Sequence, residues 1–98
     1  MFKLWIVTFA LLSQVGFAAD AARGGKLYKK CIQCHGKQGE GKKSQKAPKL
    51  SGQYDWYITK QLVMMKDGSR INKAMNPYLK NLDKKEFEDL AAYIKTLK

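Results

Sequence analysis

The segment Cys31-Ile32-Gln33-Cys34-His35 decides how this chain is read, and the rest of the sequence takes its meaning from it. Two thiols one helical turn apart can both form thioether bonds to the vinyl groups on one edge of a porphyrin. The histidine that follows then directs its imidazole at the iron. Cys-x-x-Cys-His is accordingly the attachment signature of a c-type haem. Three other chemistries use similar residues. A structural zinc site wants four Cys or His ligands, and the chain holds two Cys and one His, so a carboxylate would have to complete it. A thioredoxin-like redox pair belongs in a βαβ context, and nothing in this chain reads as a run of parallel strands. A short-loop disulfide would leave His35 incidental.

The N-terminus gives the compartment. Met1-Phe2-Lys3 is a short positive start, Leu4 to Leu12 is apolar except for Thr8, and Ser13-Gln14 breaks the run before Gly16-Phe17-Ala18. This is the pattern of a secretory signal peptide over residues 1–18, with small residues at the cleavage positions. Cleavage is expected near Ala18, with Ala21 the alternative because Ala19 and Ala21 are also small. The apolar run is shorter than the roughly 20 residues that span a bilayer. It also holds no cysteine for a lipid anchor. Residues 19–98 are then expected to form one small periplasmic domain. A chain of this size buries little surface and often needs a staple, which a covalent haem provides.

Formal net charge is +11. Arg23, Lys26, Lys29 and Lys30 precede the haem motif, and Lys37, Lys42, Lys43, Lys46 and Lys49 follow it. Nucleic acid is seldom met by an exported haem protein. The excess therefore points to redox proteins with acidic docking surfaces, or to transient contact with an anionic membrane surface. Solubility alone is the plainer explanation.

The pattern beyond the motif is helical. Ala21 to Lys30 reads as a first helix capped by Asp20. Its Gly24-Gly25 pair is costly in a helix unless another helix crosses closely there. Gly36 to Ser51 reads as a surface loop. Tyr54, Tyr57, Ile58, Leu62 and Met65 form a helical apolar stripe that Gly68 should end. Asn76 is a candidate cap, with Pro77 suited to the first helical position of a short turn. Asp83 and Glu86 have capping-box spacing at the start of a last helix whose buried stripe is Phe87, Leu90, Ala91, Ile94 and Leu97. Ala91 and Ala92 are small enough to admit the first helix. The fold class is all-α, without a convincing strand.

With His35 as the only histidine, a bis-histidine haem within this chain is impossible. The other face of the iron must take Met, Lys, Tyr, another weak ligand, or nothing. Methionine is the usual partner of histidine in such sites. Met64 and Met65 fall inside a predicted helix, where Met65 is core filler. Met75 sits in a non-periodic stretch able to carry a thioether across the haem face.

The chain resembles the small class I cytochromes c, particularly bacterial c-553-like carriers and single domains of cytochrome c4. The matching residues are Gly25-Lys26-Leu27-Tyr28, Cys34-His35-Gly36, Gly39-x-Gly41, Pro48-x-Leu50-x-Gly52-Gln53 and Gln61-Leu62. Lys66-x-Gly68-x-Arg70, Ala74-Met75-x-Pro77 and Leu90-Ala91-Ala92-Tyr93-Ile94 complete the likeness. The resemblance implies three to five helices wrapped around one covalent haem c, with the N- and C-terminal helices crossing. It also implies that the backbone carbonyl of Pro48 accepts the His35 ring N–H, fixing the tautomer. Asn76-Pro77-Tyr78 departs from relatives, which often have further methionines or small residues there.

An iron held by His35 and Met75 has no open position for substrate, which suits a one-electron carrier better than an enzyme. The expected function is a soluble periplasmic monohaem carrier, monomeric by default at this size, between larger redox proteins. The alternatives are a gas-binding sensor with an open sixth site and an electron-entry subunit of a larger redox complex.

Overall fold

The computed structural model describes residues 18–98, so the expected leader, apart from Ala18, lies outside the described residues. The first helix, α1 (Ala21–Tyr28), begins where the sequence predicts: the Asp20 carboxylate accepts the Arg23 N–H at 3.1 Å. It ends two residues earlier than expected. The Cys31 N–H then bonds to the Tyr28 carbonyl at 2.8 Å, so the chain turns directly into the one-turn helix α2 (Ile32–His35).

The stretch after α2 is a loop, as expected, but it has internal structure. A 3-10 turn over Lys43–Gln45 and an isolated bridge between Lys42 and Ala47 fold it back on itself. Gly41 sits at the neck, at φ 80°. A Cβ there would lie 2.9 Å from the Pro48 carbonyl carbon and 2.8 Å from the Lys49 nitrogen. The absent side chain lets the returning backbone pass close by. The Gly41 N–H also binds the His35 carbonyl at 2.7 Å, which brings Pro48 beside α2.

Helix α3 (Asp55–Asp67) stops at Gly68, in the left-handed region as predicted. Ile58, Leu62 and Met65 are buried, whereas Tyr54 and Tyr57 are 69% and 41% exposed. The expected stripe is therefore shorter at its N-terminal end. Those aromatics pack sideways instead, with Tyr54 stacked on Trp56 at 5.9 Å between ring centroids. The short helix α4 (Asn76–Leu79) starts one residue earlier than expected: Met75, not Asn76, is at the cap position, and Pro77 is the second helical residue.

Helix α5 (Lys84–Lys95) has the full capping box. Asp83 accepts the Glu86 N–H at 2.8 Å, and Glu86 accepts the Asp83 N–H at 3.2 Å. Phe87, Leu90, Ala91 and Ile94 are buried, and Leu97, beyond the helix end, is half-buried. Each large apolar side chain removed from water here contributes about 1.5–3 kcal/mol.

The first and last helices cross at Gly24. A Cβ on that residue would lie 1.9 Å from the Asp89 carbonyl oxygen and 2.9 Å from the Tyr93 Cβ. Gly24 on α1 is thus a small residue that admits the partner. Ala91, fully buried, also lines a groove with Thr59, Lys60 and Val63 of α3. Tyr28 and Tyr93 meet edge to face beside the crossing at 5.3 Å. No strand occurs among the described residues, and the all-α expectation holds.

Candidate functional site

Helix α2 is held from several sides. The buried Tyr28 hydroxyl donates to the Gly36 carbonyl at 2.6 Å. Burial, helped by the neighbouring Cys31 and Glu40, pushes that hydroxyl up to about 12, so it stays a donor. Lys42 Nζ donates to the Gln33 carbonyl at 2.9 Å. On this fixed turn Cys31 and Cys34 are half-buried free thiols, and His35 is 5% exposed. Burial, with the Cys34 thiol beside it, pushes the Cys31 thiol up to about 11, against the pull of Lys30.

The His35 ring is anchored by Nδ1, which lies 2.9 Å from the Pro48 carbonyl oxygen. A carbonyl can only accept, so Nδ1 carries the proton and donates it. That leaves the lone pair of the neutral ring on Nε2, free to ligate a metal.

These residues open onto a cavity in the core. It has two adjoining lobes of about 220 and 340 Å³, and Cys31, His35, Pro48, Asn72 and Met75 belong to the walls of both. The deeper lobe is walled by Leu50, Ile58, Leu62, Met65, Leu79, Leu90 and Ile94. Cys34 lines the other lobe. All five residues singled out in the sequence, Cys31, Cys34, His35, Pro48 and Met75, therefore surround one space. Met65 is buried in the core wall, and Met64 faces the separate groove beside Trp56.

Sequence reasoning assigned no role to the polar rim. Lys49, Gln53, Gln61 and Arg70 line the deeper lobe, and Arg70 Nη1 donates to Gln61 Oε1 at 2.7 Å. Gln61 is neutral, and neither lobe has an Asp or Glu in its walls, so the site is electropositive and apolar together. One signal was available: Arg70 is one of only two arginines among 19 basic residues, and arginine is favoured where carboxylates are gripped by paired hydrogen bonds. No group of three or more His, Cys, Asp and Glu side chains is placed to hold a metal ion among the described residues. The zinc reading thus has no fourth ligand.

The cytochrome c family model matches residues 21–98. The chain belongs to the cytochrome c family. Cytochrome c4 of Pseudomonas aeruginosa is 36% identical over 93 residues, covering 95% of this chain and 46% of that protein. Cytochrome c-554(548) of Halomonas halodenitrificans is 35% identical over 79 residues, covering 78% of this chain and 94% of the relative. The solved structure of Acidithiobacillus ferrooxidans cytochrome c4 superposes with a TM-score of 0.73 at 33% identity, over 81% of this chain and 50% of that one. The chain thus spans half the length or less of the first curated relatives it matches.

The cofactor of this family is covalent haem c. The residues present fit that group. An apolar cavity is bordered by two free thiols and an imidazole with an available nitrogen, and its rim carries cations suited to the carboxylates of a porphyrin.

Proposed function

We propose that this cytochrome is a periplasmic monohaem carrier of single electrons, exported by a leader over residues 1–18, with domain 19–98 holding iron between His35 and Met75. The observation that carries this reading is that Met75 lines the same apolar cavity as His35, whose Nε2 is freed by the Pro48 bond. When bound, the haem supplies an iron that accepts and gives up one electron.

The chain's own residues do the rest. Cys31 and Cys34 fasten the group by thioether bonds. His35 supplies a strong nitrogen ligand, made more basic by its bond to Pro48. Met75 supplies a soft sulfur that favours the reduced metal and leaves no position for substrate. Arg70, with Gln61 and Lys49, receives the carboxylates. Leu50, Leu62 and Ile94 exclude water, which keeps reorganisation small.

The outer edge of the site provides the docking surface. Pro48, Ala74 and Tyr78 are exposed there, with Lys30, Lys46 and Lys49 beside them. Such a basic rim steers acidic redox partners towards the site.

Visible spectra of the haem-loaded protein test the ligand set. The oxidised wild type should show the weak long-wavelength band of an iron–thioether bond, and the reduced form should not bind carbon monoxide. Met75→Ala should lose the band, lower the potential and bind carbon monoxide. Carbon monoxide binding by the wild type would favour the gas-sensor alternative, and an unchanged Met75→Ala would remove Met75 from the iron.

A further inference from the structure

Met75 packs its side chain against the core, but the residues beside it are open to solvent. Lys73, Ala74, Asn76 and Pro77 around it are all exposed, and Pro77 has no N–H to tie the segment down. On its C-terminal side the Met75 carbonyl accepts the Tyr78 N–H at 2.9 Å, and on its N-terminal side two bonds tie the turn to Asn72. The Asn72 side-chain oxygen accepts the Met75 N–H at 3.1 Å. The Asn72 backbone carbonyl accepts the Asn76 N–H at 3.0 Å. Bonds from the third residue to the side chain and from the fourth to the carbonyl are those of a helix N-cap. Asn72 therefore caps a helical turn one step ahead of α4, and Met75 is the third residue of that turn. The capping side chain is half-buried and lines both lobes of the cavity, as Met75 does.

We infer that Asn72 is a positioning residue for the axial methionine: its cap sets the backbone direction from which the Met75 thioether reaches the iron. The inference rests on the His35/Met75 reading above. Without the cap, the Met75 N–H loses its partner, and the exposed Lys73-Ala74 half of the turn loosens while the bond from Tyr78 holds the other half. The thioether then competes less well with any ligand added from outside.

The experiment titrates the oxidised, haem-loaded protein with imidazole, which displaces a weak axial sulfur, and follows the long-wavelength band and the midpoint potential alongside. Asn72→Ala should bind imidazole about fivefold more tightly than wild type, the equilibrium counterpart of a lost cap, with a weakened band and a lowered potential. Asn72→Ser keeps an oxygen acceptor and should return all three towards wild type. Wild-type behaviour in Asn72→Ala, or a serine variant no better than the alanine one, overturns the inference. If the alanine variant fails to mature, amide exchange in the wild type decides: a protected Met75 N–H sustains the cap, and exchange as fast as at Lys73 overturns it. Met75→Ala separates the two ideas. If it leaves imidazole affinity and band unchanged, the ligand reading itself has failed. If it abolishes the band while Asn72→Ala does nothing, only the positioning role has.

Discussion

At Asp89 a carboxylate with essentially no solvent exposure sits at the crossing of α1 and α5. Its Oδ1 accepts the Asp20 N–H at 2.8 Å and Lys85 Nζ at 2.5 Å. Its Oδ2 lies 4.0 Å from Arg23 Nε and has no hydrogen-bond partner. Burial alone would raise its pKa. The bonds from Asp20 and Lys85, with the charges of Lys85 and Arg23, outweigh that and hold it below the usual value. A depressed carboxylate contributes stability above its unfolded pKa, about 3.9, and loses it as pH falls through the lower folded value. Asp89→Asn should therefore cost about 1–3 kcal/mol at neutral pH. The gap to wild type should narrow below about pH 4, measured by denaturant unfolding of the haem-loaded protein at several pH values. A gap constant with pH would mean that the charge does nothing there. Asp89 was illegible in the sequence because its partners Asp20 and Arg23 lie far away in the chain. The Cys31–His35 motif could be read at once, because its chemistry is contained in five consecutive residues.

Among the helices, features written in neighbouring residues could be read directly, and those written between elements could not. The Asp83/Glu86 box and the Gly68 stop are local devices, and both occur where predicted. The Gly24-Gly25 pair announced a close crossing, yet only the three-dimensional path shows that Gly24 meets the backbone of Asp89 and that Ala91 also lines a groove with α3. Tyr54 and Tyr57 matched the α3 stripe by spacing, but aromatic rings tolerate exposure and stack on one another. The fold-back at Gly41 had no periodic signal, although it delivers Pro48 to His35. Gly24→Ala should shift α1 off α5 and lower stability by about 1–3 kcal/mol, as overpacking does. Gly25→Ala, whose added Cβ would meet the Tyr93 ring no closer than 3.4 Å, should be milder. Thermal melts of the two variants make the comparison, and equal losses would mean that Gly24 is not the point of contact.

At the scale of the whole molecule, the core is built around a space rather than closed on itself. Leaving a lobe of about 220 Å³ unfilled deprives its apolar walls of packing partners and wets them, and a small domain has little stability to spare. The haem-free chain should therefore be largely unfolded. Circular dichroism checks this: a cooperative melt from native-like helix content in the apoprotein would show that the side chains close the gap themselves. Composition and length had already indicated a need for a staple. The shape of the space could not be read from them, because its walls come from residues scattered between Lys30 and Ile94.

The crossing at Gly24 also governs the order of events during synthesis. Helix α1 has eight residues, too few to persist alone in water, and the surface it lies on is made later, around residues 89–93. A growing chain therefore has nowhere to dock α1 until α5 has been translated. Throughout that interval both thiols stay on a loose polymer, open to whatever machinery joins them to the porphyrin.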